Sequence, residues 1–215
     1  MSIRKEVSGL RQDYQNLGLK KSQLHADPIQ QFEAWFEEAV QTVQHEPNAM
    51  SLATVSEGRP SVRIVLLKGF DERGFLFYSN YHSKKGQDIE GNPQVALTFW
   101  WPELARQLRI EGIASQLSTE ESNHYFQQRG RGSRIGAWAS PQSQIIRNRE
   151  ELEKNVEGVT KRFEGQEVFP CPPHWGGYLV QPEKMEFWQG RSSRLHDRLV
   201  YEKAGDSWRI VRLAP

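Results

Sequence analysis

Arg63 and Lys68 bracket the apolar run Ile64, Val65, Leu66 and Leu67. On an extended strand a five-residue separation turns them to opposite faces about 17 Å apart, a spacing suited to two different anions. Solvated strand charges are the plainer reading. Farther on, Ser83-Lys84-Lys85 reads as an N-cap followed by two basic side chains at the opening of a short helix. Free amides and the helix dipole there already favour a phosphate.

Two further clusters carry donors. In Tyr125-Phe126-Gln127-Gln128-Arg129-Gly130-Arg131-Gly132-Ser133 a phenol, guanidinium groups and a hydroxyl are close enough to converge on a small dianion, and the glycines let backbone approach. In Glu186 to Arg198, an extended chain would project Arg194, His196 and Arg198 from one face, alternating with Leu195 and Asp197. Like charges so placed repel unless an anion or an electron-rich ring joins them.

Other chemistries find little support. No glycine-rich phosphate loop of the dinucleotide or P-loop type occurs, and no Gly-x-Ser-x-Gly elbow. His25, His45, His82, His124, His174 and His196 form no pair at i, i+3 or i+4, and Cys171 is the only cysteine, so no metal is expected. A disulfide within the chain is excluded, and Phe169-Pro170-Cys171-Pro172-Pro173 reads as a rigid loop without an activating base.

The elements that must position these clusters follow from period. Residues 1 to about 25 are polar with scattered Leu and read as a mobile arm or lid, leaving 26–215 as a single domain. Asp27-Pro28 opens an amphipathic helix with Ile29, Phe32, Trp35, Phe36, Ala39, Val40 and Val43 at helical spacing, ending near Pro47. From Ala49 the period shortens. Ala49–Val55, Ser61–Gly69, Phe75–Ser79, Gln94–Trp101 and Arg106–Leu117 read as strands, joined by turns such as Glu57-Gly58-Arg59-Pro60. Ser118-Thr119-Glu120-Glu121 has capping-box spacing, and a charged helix covers roughly 147–163. Strand character resumes at Trp175–Val180, Lys184–Gln189, Arg198–Glu202 and Trp208–Leu213. A mainly β fold with peripheral helices, five or six antiparallel strands forming a small barrel, is the expectation.

The 28 basic and 27 acidic residues nearly cancel, so no overall field argues for nucleic acid or anionic membrane as a partner. With neither an apolar leader after Met1 nor an apolar run of spanning length, a cytoplasmic protein is expected.

Taken in order, the four clusters resemble the pyridoxamine 5'-phosphate oxidase family over about residues 11–215. The most specific pieces are Arg63 to Lys68, Ile135-Gly136-Ala137-Trp138, Trp188-Gln189-Gly190, Arg194-Leu195-His196-Asp197-Arg198 and Arg212-Leu213-Ala214-Pro215. The resemblance implies an FMN-binding split β-barrel, a homodimer with FMN at the subunit interface. It also implies oxidation of pyridoxamine or pyridoxine 5'-phosphate by O2 to pyridoxal 5'-phosphate, with H2O2 and, from the amine, ammonia, in vitamin B6 metabolism.

By the same resemblance FMN would be held by Arg63, Ile64, Val65, Leu66, Leu67, Lys68, Tyr78, Ser79, Lys84, Lys85, Gln107, Gln142, Ser143, Trp188 and Arg198. Lys68, Tyr125, Arg129 and Ser133 would grip the substrate phosphate. Arg194 and His196 would lie against the pyridine ring as the catalytic pair, and Arg11 and Tyr14 would cover it as a lid. Lys84 stands where arginine is common in the family, and Gly130 where proline is. Lysine keeps the charge but lacks the bidentate fork. A split-barrel flavin reductase and a non-catalytic carrier of pyridoxal phosphate are the rival readings.

Overall fold

The computed structural model describes Tyr14 and residues 18–215. They fall into two compact units. One takes in residues up to Pro47 with Phe99–Arg109 and Lys184–Pro215, the other Asn48–Thr98 with Ile110–Glu183. Five α-helices are present among the described residues: α1 (Pro28–Thr42), α2 (Lys84–Gly91), α3 (Thr119–Gln128), α4 (Arg131–Ala139) and α5 (Arg149–Arg162). Nine strands form the sheet: β1 (Ala49–Ser56), β2 (Arg59–Leu66), β3 (Gly69–Asp71), β4 (Gly74–Asn80), β5 (Gln94–Trp101), β6 (Arg106–Gln116), β7 (Trp175–Gln189), β8 (Asp197–Ala204) and β9 (Ser207–Leu213).

Strand order is β2-β1-β5-β6-β7-β4-β3, with β8 added to β7 and β9 to β8. The order runs between two ends and does not close on itself. It is a mainly β structure with helices set around the sheet, as expected, but with more strands than the five or six anticipated. The apolar run from Ser61 to Gly69 divides into β2 and β3 at Leu67 and Lys68. The stretches 175–180 and 184–189 join as one strand. Pro182 permits this because the β4 register ends at Val180 and the β8 register begins at Lys184, so its missing N–H breaks neither ladder.

The helix starts follow their caps. Asp27 accepts the amides of Ile29 and Gln30 at 2.7 and 3.2 Å, and Ser118 and Glu121 complete the capping box of α3. Helix α1 stops at Thr42, short of Pro47, because Val43 is already extended and Glu46 takes a left-handed conformation before the proline. Helix α4 went unforeseen, since its glycines masked the spacing of its buried residues Ile135 and Ala139.

In the first unit α1 buries Phe32, Trp35 and Ala39. Phe32 meets Phe99 at 5.5 Å, and Trp35 stands edge-on to Phe187 at 5.0 Å. In the second, Phe126, Ile135, Phe163, Phe169 and Trp175 form a cluster joining α3, α4 and the start of β7. Burying each large side chain contributes about 1.5–3 kcal/mol, which fixes the helices that present the charged residues.

Candidate active site

In the second unit, Ser83 caps α2, and its fully buried hydroxyl accepts the Gly86 amide and donates to Asn80 O at 2.7 Å. Gly86 is required here, since a Cβ would stand 2.0 Å from Tyr81 O. The next turn delivers Lys85, whose Nζ donates to Ser79 Oγ at 3.1 Å and Ser83 Oγ at 3.3 Å. Burial, then the charge of Arg63, lowers the Lys85 pKa.

Arg63 is anchored on several sides. Nη1 donates to Thr54 Oγ1 at 2.8 Å and Leu52 O at 3.2 Å, and Nη2 donates to Ser61 Oγ at 3.0 Å. Burial lowers its pKa, against the opposing pull of Asp88.

Arg63, Lys85, Lys68, Tyr78, Ser79, Tyr125, Arg129, Gln142 and Trp175 line a cavity of about 510 Å³, together with Ile64, Val65 and Leu66. The expected placement of Arg63 and Lys68 on opposite strand faces does not hold. The chain leaves β2 after Leu66 and turns, with the Leu67 amide on Asn48 O and the Lys68 amide on Leu76 O, so both cations border one space.

The cavity has an aromatic wall. Tyr125 stacks on Tyr78 with ring centroids 3.8 Å apart, and Tyr78 stacks on Trp175 at 5.5 Å. Burial pushes the Tyr78 hydroxyl up to about 12, with Tyr125 and Glu121 adding to it, so the phenol stays a neutral donor. Arg129 lies 4.5 Å over the Trp175 ring, and its Nη1 is buried with no hydrogen-bond partner among the described residues. Leaving such a donor unmet costs about 1–3 kcal/mol, which an anion would relieve.

A neighbouring space of about 270 Å³ is lined by Ser133 and again by Arg129, Gln142 and Trp175. Ser133 enters it from the first turn of α4. Gln142 Oε1 accepts Ser79 Oγ and the Asn80 amide, both at 3.3 Å, and Ser143 holds a left-handed φ of 69°. Twelve of the residues the resemblance points to therefore gather at these two spaces: Arg63, Ile64, Val65, Leu66, Lys68, Tyr78, Ser79, Lys85, Tyr125, Arg129, Ser133 and Gln142. Lys84 turns to Asp88 instead.

The first unit carries a second group. Trp188 lies 4.5 Å from His196 between ring centroids, and Tyr14 approaches each edge-on at 6.1 Å. Gly190 makes room for Tyr14, whose ring a Cβ would meet at 2.8 Å. Arg198 is gripped by buried Glu186 through Nε at 2.7 Å and Nη2 at 3.0 Å. Gln107 is half-buried on β6. Arg11 lies outside the described residues.

Arg194, His196 and Arg198 do not share a strand face. Residues 192–194 form a single 3-10 turn, Ser193 and Arg194 have φ of 54° and 62°, and β8 starts only at Asp197. After Gly190 the chain pairs locally instead, with the Arg191 amide donating to His196 Nδ1 at 3.1 Å. Arg194 is exposed at this turn. Burial, then the Arg194 charge, lowers the His196 pKa, so the ring is neutral at pH 7.

Asp88, Thr54, Trp175 and Glu186 were given no role by the sequence. Asp88 sits four residues after Lys84, a spacing that marks a helical ion pair. Trp175 gave no local signal.

The mainly β, unclosed sheet with its cation-rich, aromatic-walled cavity is that of a split-barrel protein, and the family matched along the chain makes it an oxidoreductase. Residues 36–163 match the family described as pyridoxamine 5'-phosphate oxidase, and 175–215 match the pyridoxine 5'-phosphate oxidase C-terminal dimerisation region. The chain belongs to the pyridoxamine 5'-phosphate oxidase family. It is 56% identical over 213 residues to the pyridoxine/pyridoxamine 5'-phosphate oxidase of Rubrobacter xylanophilus, covering 99% of this chain and 98% of that one. The corresponding protein of Acaryochloris marina is 52% identical, covering 97% and 95%.

Among solved structures, PhzG from Burkholderia lata, in complex with tetrahydrophenazine-1-carboxylic acid, superposes with a TM-score of 0.86 at 29% identity, covering 95% of this chain and all of that one. A pyridoxamine 5'-phosphate oxidase-related, FMN binding protein from Nostoc punctiforme shares the fold, with a TM-score of 0.70 at 18% identity over 89% of this chain and all of that one. Among the described residues no helix is long and apolar enough to cross a membrane, and no group of three or more His, Cys, Asp or Glu is placed to hold a metal.

Proposed function

We propose that this chain is an FMN-dependent oxidase that converts pyridoxamine 5'-phosphate and pyridoxine 5'-phosphate to pyridoxal 5'-phosphate, with O2 as acceptor. Its products besides pyridoxal phosphate are H2O2 and, from the amine, ammonia. The observation that carries this reading is the unpaired, buried Nη1 of Arg129 in a cavity that already holds Arg63 and Lys85. One phosphate does not account for all of these donors, whereas a phosphorylated cofactor and a phosphorylated substrate do.

The residues present fit FMN. Arg63 and Lys85, with Lys84 and the α2 amides, supply cations and N–H donors for a phosphate. Ser79, Gln142 and Ser143 offer neutral hydrogen bonds, Ile64, Val65 and Leu66 line the space, and Trp188 gives an aromatic surface. Gln107 and Arg198 join this set by family resemblance. When bound, the flavin supplies the two-electron acceptor that no side chain offers.

The protein's own part is binding and orientation. Lys68, Tyr125, Arg129 and Ser133 take the substrate phosphate through charge-assisted bonds, fixing one end of the molecule. Arg194 and neutral His196 set the pyridine ring and stabilise charge upon it. Holding the reacting carbon in place contributes up to about 7–11 kcal/mol. Tyr14, packed on Trp188 and His196, belongs with Arg11 to a lid within residues 1–25, and residues 26–215 act as one domain.

The assembly is a cytoplasmic homodimer with the flavin at the subunit interface, so the two groups of residues need not come from one chain. The matched C-terminal dimerisation region supports the dimer.

The test is oxygen uptake and peroxide release on adding pyridoxamine 5'-phosphate to the purified yellow protein. Turnover supports the oxidase. A yellow protein that binds the substrate without consuming oxygen would be a carrier, and one that oxidises only a reduced nicotinamide would be a flavin reductase.

A further inference from the structure

Asp88 lies behind the cation cluster, 3% exposed, and is absent from the cavity lining. It accepts Lys84 Nζ one helical turn away and Thr54 Oγ1 at 2.7 Å, and it stands 3.7 Å from Arg63 Nη2. Thr54, fully buried, spends its proton on Asp88 while its oxygen accepts Arg63 Nη1 at 2.8 Å. A carboxylate on α2 is thus tied to a guanidinium on β2 through a hydroxyl on β1.

We propose that Asp88 is a positioning residue that holds Arg63 and Lys84 in register and trims the charge of the phosphate-binding cluster to match a phosphate dianion. Resting on the FMN reading above, it assigns a task to a residue that never meets the ligand. Asp88 offsets Lys84, which lies outside the cavity lining, and so leaves Arg63 and Lys85 as the two charges facing the flavin phosphate, the complement of a phosphate monoester near pH 7, while Lys68 and Arg129 in the same lining are given to the substrate phosphate. Without Asp88, Lys84 would stand as an uncompensated cation beside Arg63 and Lys85, and the three would repel. Burial alone would raise the pKa of Asp88, but the bonds from Lys84 and Thr54 and the charges of Lys84 and Arg63 hold it below the usual carboxylate range, so it is ionised wherever flavin is measured.

The test compares two probes on the full-length protein stripped of flavin: FMN, and riboflavin, which lacks the phosphate. Affinity is read from quenching of flavin fluorescence. In Asp88→Asn, which keeps an oxygen for the Thr54 hydroxyl, FMN binding is expected to weaken about tenfold or more, while riboflavin binding changes less than about twofold. Equal losses for both flavins would make Asp88 a purely structural residue, and unchanged or tighter FMN binding would also overturn the proposal.

Should Asp88→Asn fail to fold by circular dichroism, Thr54→Val decides, since it cuts the hydroxyl bridge without changing charge. The same selective loss of FMN supports the proposal, and an equal loss or none overturns it. Wild-type protein that binds neither flavin would sink the FMN reading itself, an outcome distinct from failure of Asp88 alone.

Discussion

Glu186 grips Arg198 with both carboxylate oxygens, Oε1 on Nε at 2.7 Å and Oε2 on Nη2 at 3.0 Å, and Oε2 also accepts Arg109 Nη1 at 3.3 Å. The carboxylate is 5% exposed while both arginines reach solvent, so the pair is bound at one end and hydrated at the other. Glu186→Gln keeps the shape and loses the charge. It is expected to lower unfolding free energy by about 1.5–3 kcal/mol, measured by urea denaturation. A double-mutant cycle with Arg198→Lys should show coupling between the two, and additive effects would refute it.

Arg129→Ala removes the buried donor above Trp175. The KM for pyridoxamine 5'-phosphate is expected to rise roughly ten- to a hundredfold, the worth of a charge-assisted bond. Flavin affinity should stay within about threefold, because Arg63 and Lys85 are untouched. Steady-state kinetics beside a flavin titration separates the two, and an unchanged KM would remove Arg129 from the phosphate site.

Those two arginines show what sequence makes legible. Arg129 was visible because a cation followed by glycines, near a tyrosine and a serine, is a local pattern. The caps Asp27, Ser83 and Ser118 were legible for the same reason, as was the mainly β class from its period. What escaped depends on pairing distant segments. Trp175 lies far along the chain from Arg129, and no spacing rule links a β7 residue to the end of α3. The turn at Ser193 and Arg194 needs two successive left-handed residues, a geometry their side chains do not advertise. Arg63 and Lys68 seemed to diverge because strand geometry was extended past Leu66, where the chain had already turned.

Asp197 gathers three donors: the Leu19 amide at 2.9 Å, Arg191 Nη1 at 3.2 Å, and Arg212. Burial pushes its pKa up, but the Leu19 amide and the Arg212 and Arg191 charges outweigh it, so the folded value lies below the unfolded one. The latch is therefore complete above the usual carboxylate pKa and weakens as pH falls through the folded value. At neutral pH, Asp197→Asn should mimic its loss. Trypsin is expected to cleave after exposed Lys20 or Lys21 faster in the variant, and the Leu19 amide to exchange faster, while strand β1 of the other unit keeps its protection. Unchanged cleavage would show that burial and the Arg212 bond to the Leu19 carbonyl hold the segment without Asp197.

His196 offers a test with a definite sign. Its Nδ1 accepts the Arg191 amide, so the folded state needs that nitrogen unprotonated, and burial and Arg194 both disfavour the imidazolium. Its folded pKa lies below 6.5, the unfolded chain binds the proton more readily, and stability from this site is full above 6.5 and lost as pH falls through that window. NMR titration of the His196 ring should give a midpoint below 6.5, and the acid limb of kcat/KM should follow it. Arg194→Ala removes only the second of the two causes. The midpoint should therefore rise without reaching 6.5, while turnover falls and flavin stays bound. A midpoint above 6.5 in the parent protein, or no movement in the variant, would rule out this account of the pair.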